Sequence, residues 1–163
     1  MTGHDRQVTF RCARPDDAAE IAGIWYRGWC DGHLGHVSEQ LVAVRTPQSF
    51  GARAADRIGD TRVALVDGTV AGFVMVVDDE VEQVYVSAAH RGTGVADALL
   101  HEAERLVRAN GYTRAWLAVV AGNARARRFY ERCGWSDDGP FDYSAYSEEG
   151  PISVPSHRYV KEL

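Results

Sequence analysis

The chain has 163 residues, 45% of them apolar and 25% charged, with 18 Lys plus Arg against 23 Asp plus Glu and a formal net charge of −5. That balance belongs to an ordinary globular domain and excludes a disordered tail, a collagen-like fibre and a coiled-coil rod. A mildly acidic chain lacks the basic surface that nucleic acid or an anionic membrane rewards, so neither is expected as a partner. Lys161 is the sole lysine. Cys12, Cys30 and Cys133 are odd in number and have no CxxC spacing, which predicts neither a disulfide framework nor a zinc site. The polar stretch Met1–Phe10 has no apolar leader, and no run approaches the ~18 apolar residues of a membrane span. The expectation is a cytoplasmic protein with one domain over residues 1–163.

In chain order, Val8–Cys12 alternates apolar and polar residues and reads as a strand. Arg14-Pro15-Asp16-Asp17 then opens a helix, with proline early and carboxylates at the positive end of the dipole. Ala18, Ile21, Ala22, Trp25 and Trp29 follow at helical spacing, interrupted by Gly28, Gly32 and Gly35. Trp29–Val37 is therefore expected to be a loop or a frayed helix end. A second helix is expected across Thr46–Ile58. Arg62–Val66, Val70–Val77 and Glu80–Val86 read as an antiparallel meander, turned at Asp67-Gly68 and Asp78-Asp79. Val95, Leu99, Ala103, Leu106 and Val107 mark a long helix ended by Asn110-Gly111. Thr113–Val120 is a buried strand, and Gly122-Asn123 opens a further helix closed by Gly134. Two more strands are expected around an acidic loop, Asp137–Pro155. The order β-α-α-β-β-β-α-β-α-β-β is that of an α/β chain with a mixed sheet.

His90-Arg91-Gly92-Thr93-Gly94-Val95-Ala96 joins a strand to the long helix. A helix N-terminus presents unpaired amides and a partial positive charge, glycines let an anion approach, and Arg91 adds a fork of donors. The segment reads as a pyrophosphate cradle or as a plain strand-to-helix turn. It has no GxxxxGK[ST] and so is not a P-loop, and no GxGxxG near the first strand marks a Rossmann site. An ATP site on this loop would also lack an acidic metal-holding motif beside it.

One strand later comes Asn123-Ala-Arg-Ala126-Arg-Arg-Phe129-Tyr130-Glu-Arg-Cys-Gly134-Trp135. RGTGVA followed by NxxAxxFYExxGW resembles the GNAT superfamily of acyl-coenzyme A-dependent N-acyltransferases. The resemblance implies an α/β (α+β) fold: a mixed, mostly antiparallel sheet of six to seven strands, splayed between the fourth and fifth, flanked by about four helices. It implies acetyl-CoA as co-substrate and no metal. The amides of Arg91, Gly92, Thr93, Gly94, Val95 and Ala96 would hold the pyrophosphate. Val84, Tyr85 and Val86 would bond the pantetheine arm, as would Asn123, with Ala126 and Phe129 packed along it. Tyr130 matches the family's usual general acid, and a phenol of pKa ~10 can protonate a leaving thiolate. Family members are often homodimers.

The base is left between Glu80 and Glu82, which share one face of their strand. Some members carry it five residues before the matching Asn, where this chain has Ala118. Trp25, Trp29, Asp31 and His33 are expected to shape the acceptor site, the aromatics and Asp31 suiting a ring-bearing or cationic amine. His33 and His36 lack a third ligand for a metal. The acidic run from Asp137 to Glu149 could draw a cation or simply be solvated. The leading expectation is an N-acetyltransferase acting on a small amine. A protein-amine acetyltransferase and a non-catalytic acyl-CoA sensor are the alternatives.

Overall fold

A computed structural model describes residues 7–163; Met1–Arg6, part of the stretch read as lacking a leader, lie outside the described residues. Strand β1 (Thr9–Cys12) leads through a short 3₁₀ turn, Pro15–Asp17, into helix α1 (Ala18–His33). The Asp17 carboxylate accepts the Arg14 amide at 2.8 Å and pairs with Arg11 at 2.6 Å, fixing the entry to α1. Contrary to the expected loop, α1 runs unbroken through Gly28 and Gly32 to His33. Both glycines are points of close approach. A Cβ on Gly28 would strike the Tyr85 ring, and one on Gly32 would lie 2.7 Å from Asn123 Nδ2.

The sequence reading passed over a short helix, α2 (Glu39–Val44), before α3 (Pro47–Asp56). Both begin with side-chain caps: Ser38 Oγ accepts the Leu41 amide at 3.3 Å, and Thr46 Oγ1 accepts the Ser49 amide at 3.1 Å. The meander follows as β2 (Thr61–Val66), β3 (Thr69–Val77) and β4 (Glu80–Val86). Its first turn places Asp67 at φ 52° and Gly68 at φ 77°, the conformation a tight hairpin demands. Helix α4 (Val95–Ala109), strand β5 (Arg114–Val120) and helix α5 (Ala124–Arg132) come next. The expected acidic loop is largely a hairpin, β6 (Ser136–Ala145) and β7 (Ile152–Glu162). Along β6 the covered residues Phe141 and Tyr143 alternate with exposed Asp142 and Ser144, a half-buried strand with a polar outer face.

The seven strands form one sheet in the order β1-β2-β3-β4-β5-β7-β6. Every pair is antiparallel except β4–β5. That parallel pair meets only at Glu80 and Trp116, where the Trp116 amide donates to the Asp79 carbonyl at 3.1 Å. Beyond this point the two strands part and leave a slot. Helices α1–α3 cover one face around Ile21, Trp25, Phe50 and Phe73, and α4 and α5 cover the other around Leu99, Val107 and Tyr159. No described helix is long and apolar enough to cross a membrane.

Leu99 is fully buried between α4 and the sheet, its Cδ1 reaching into the space Gly72 leaves open. Leu99→Ala is expected to cost about 2–5 kcal/mol, the range for a methylene-rich side chain lost from a packed core. Urea unfolding at pH 7 measures it, and a loss below about 1 kcal/mol would mean this interface can collapse onto the gap.

Candidate active site

The slot between β4 and β5 opens into two cavities. One, of about 700 Å³, lies under the glycine loop, between α1, the end of β4 and α5. Val84, Tyr85, Val86, Arg91, Gly92, Gly94, Ala96, Asn123, Ala126, Phe129 and Tyr130 all line it. Gly92 and Gly94 stand at φ 73° and 86°, and a Cβ on either would meet nothing within 4 Å. The amides of Gly92, Gly94 and Ala96 find no acceptor among the described residues. Donors at a helix start, bare backbone and open space therefore meet here, which is what an anion site needs. Thr93 and Val95, named for their amides, turn their side chains away from the cavity. Val95 is buried in the core, and Thr93 Oγ1 donates to the His90 carbonyl at 2.5 Å.

The other cavity, of about 370 Å³, is walled by α1–α3, β4, β5 and β6. Trp25, Trp29, His33, Glu80 and Glu82 line it. His33 stacks on Trp29, and its Nδ1 sits 3.0 Å from the Trp29 carbonyl, which places the proton on Nδ1. Burial pulls its pKa down to about 4, so the ring is neutral at physiological pH. Glu82 is ion-paired with Arg57. Glu80 accepts the Tyr143 hydroxyl at 3.0 Å; burial, outweighing that bond, pushes its pKa up to about 7. Asp31 does not join this group. It lies on the larger cavity and pairs with Arg91 at 2.5 Å.

Val84, Tyr85, Asn123, Ala126 and Tyr130 line both cavities and so form their junction. Asn123 caps α5, its Oδ1 accepting the Ala126 amide at 3.2 Å. The Tyr130 hydroxyl makes no hydrogen bond to another described side chain, and burial raises its pKa well above the phenol range. Tyr85 is raised too, by burial and then by the adjacent Tyr130 phenol. Two protonated phenols therefore sit where the cavities meet.

Arg45, Arg53, Arg57 and Tyr143 also wall the smaller cavity, and none was anticipated. On α3 the signal was available: Phe50, Arg53, Ala54 and Arg57 follow the i, i+3, i+4, i+7 spacing of a buried stripe. The aromatic face offered by Trp25 is already covered, with the Arg53 guanidinium 4.3 Å from its ring centroid. His36 packs over Gly122. Among the described residues no three His, Cys, Asp or Glu side chains gather as a metal site.

Comparison with known proteins agrees with this geometry. Residues 19–135 match the Acetyltransferase (GNAT) family. An uncharacterized N-acetyltransferase of Mycobacterium tuberculosis is 32% identical over 152 residues, covering 85% of this chain and 96% of that protein. The streptothricin acetyltransferase of Streptomyces lavendulae is 33% identical over 188 residues, covering 96% of this chain and 94% of that one. Among solved structures, a PaiA N-acetyltransferase from Thermoplasma acidophilum in complex with coenzyme A superposes with a TM-score of 0.70 at 16% identity, over 96% of this chain and 99% of that one. The chain belongs to the GNAT acetyltransferase family and is an acyltransferase.

Proposed function

We propose that this chain, as one catalytic domain over residues 1–163, transfers an acetyl group from acetyl-CoA to the primary amine of a small molecule. The observation that carries the reading is the junction: a cavity fit for a pantetheine-diphosphate arm meets one fit for an amine, and Tyr130 lines both. The unpartnered amides of Gly92, Gly94 and Ala96 support the first assignment. The volume of the second cavity, about 370 Å³, supports a small acceptor. Free thiols at Cys12, Cys30 and Cys133 support a reducing compartment, the cytoplasm.

When bound, acetyl-CoA supplies an activated thioester. In this reading Glu80 takes a proton from the acceptor ammonium, which frees the nitrogen lone pair for attack on the acyl carbon. Glu82, held by Arg57, contributes a fixed charge beside that path. As the new C–N bond forms and the C–S bond breaks, Tyr130 delivers its proton to the sulfur; the nitrogen then sheds its second proton, which through solvent restores the phenol, and Glu80 releases the first to water. Burial keeps this phenol protonated, so a proton is present beside the sulfur when the thiolate leaves.

Thiol release from acetyl-CoA over an amine panel tests the reading. Stabilisation by acetyl-CoA without release on any amine would favour a non-catalytic acyl-CoA-binding protein. With Glu80 poised at about 7, kcat/KM is expected to rise with pH through an apparent pKa near 7. Glu80→Gln should erase that limb and lower the plateau by about 100-fold; a retained limb would move the proton acceptor elsewhere. The same shift has a sign for stability. Folded Glu80 keeps its proton to about 7, whereas the free carboxyl titrates at 4.5. Its contribution is therefore complete below about 4.5 and lost as pH rises through about 7. The wild-type minus Glu80→Gln difference in urea unfolding should fall over that window.

A further inference from the structure

The smaller cavity holds more positive charge than its own carboxylates neutralise. Of its three arginines, Arg57 is paired, with Glu82 and with Asp60 at 3.1 Å. Arg45 and Arg53 have no hydrogen-bonded or ion-paired partner among the described residues. Yet Arg45 is only 7% exposed, and Arg53 has a buried Nη1 with nothing to donate to. Arg53 is clamped in place, its guanidinium 4.3 Å from the Trp25 ring centroid and 5.2 Å from that of Phe50. Neutral His33 adds no charge, and Glu80 is hydrogen-bonded to Tyr143 on β6, away from the helix wall.

Burying a guanidinium nitrogen without an acceptor is costly, and a second unpaired guanidinium close by adds repulsion. Their proximity is felt: Arg45 is one of the charges that hold the Arg53 guanidinium below its ordinary pKa, after burial. A chain retains such an arrangement where a ligand brings the missing anion. A rigid guanidinium fork matches an oxyanion in two parallel hydrogen bonds. The phosphates of coenzyme A are poor candidates, because Arg45 and Arg53 line the acceptor cavity and not the one beneath the glycine loop.

We propose that the acceptor is an amine carrying its own oxyanion, a carboxylate or a phosphorus acid group, and that Arg45 and Arg53 hold that group while the amine faces the junction. This rests on the N-acetyltransferase reading and narrows its substrate class. It also replaces the cationic acceptor expected from Trp25 and Asp31, since Arg53 covers the one and Arg91 occupies the other.

The test is thiol release by the full chain at saturating acetyl-CoA, with three matched acceptor sets: amino acids, the corresponding aminophosphonates, and the corresponding amines lacking the acid group. At least one acid-bearing set should exceed the plain amines in kcat/KM by about tenfold or more. Which set leads identifies the oxyanion. Arg45→Met and Arg53→Met should each shrink that preference, mainly through KM, and Arg53→Lys should restore part of it. Because Arg53 supports Trp25 and Phe50, the Arg45 variant provides the second reading, and if neither variant folds the wild-type ratio decides. Plain amines turned over as well as their acid-bearing partners would overturn the oxyanion site and leave the transferase reading standing. No release with any set would overturn both.

Discussion

Tyr130→Phe is expected to lower kcat by about 100-fold or more while the Kd for acetyl-CoA stays within about twofold. The substitution removes one oxygen and leaves the ring, which packs against Trp135 and Tyr159 at centroid distances of 6.3 and 6.2 Å. Fold and cavity shape should therefore survive. What is lost is the hydroxyl at the junction, a donor with no competing acceptor among the described residues. A thiolate leaving into a buried slot needs a proton, and general acids typically contribute 10²–10⁴-fold. Stopped-flow or steady-state thiol release gives kcat, and calorimetry gives Kd. Unchanged turnover would assign the proton to another donor, with the neighbouring Tyr85 phenol first to be tested.

The second large effect is on binding. Gly94→Trp should raise the Kd for coenzyme A by about 100-fold or more, because an indole there fills the space above the first turn of α4. A Cβ at Gly94 meets nothing within 4 Å, so the side chain enters the cavity and not the core. The cost to folding is the left-handed backbone at φ 86°, about 1–2 kcal/mol for a non-glycine residue. Thermal unfolding should fall by only a few degrees. Calorimetry with coenzyme A measures the loss, and near-native affinity would mean the diphosphate is held elsewhere.

Gly92, Gly94 and Ala96 open an amphipathic helix and can be read from that placement, whereas Asn123, Ala126 and Tyr130 were legible through the resemblance of the two motifs taken together. The α4 stripe and the Asp67-Gly68 hairpin were equally plain, each being set by its own residues. Elsewhere the reason for a residue lay outside its element. Gly28 and Gly32 look like helix breakers until Tyr85 and Asn123 are seen against them. In β6 Asp142, which suggests a loop, lies on the outer face of an alternating strand, and Asp137 and Asp138 stand where the register shifts. The arginine wall depends on α3 packing against α1 and on Arg57 reaching Glu82 of β4. The stripe containing Phe50, Arg53, Ala54 and Arg57 was the one local sign, a charge placed where a core residue would normally stand.

Arg45 and Arg53 also separate what the family shares from what distinguishes this chain. The junction at Tyr130 is built from the end of β4 and from the second of the two motif segments that carry the family resemblance. The opposite wall comes from α1–α3 and β6, and it carries the charges that would choose an acceptor.

The most direct measurement is a crystal structure of the chain with coenzyme A. The account predicts the diphosphate on the amides of Gly92, Gly94 and Ala96, the Asp31–Arg91 pair opened or reoriented, and the sulfur within about 3–4 Å of the Tyr130 hydroxyl oxygen. A sulfur lying outside the junction, or a diphosphate bound away from the start of α4, would contradict it.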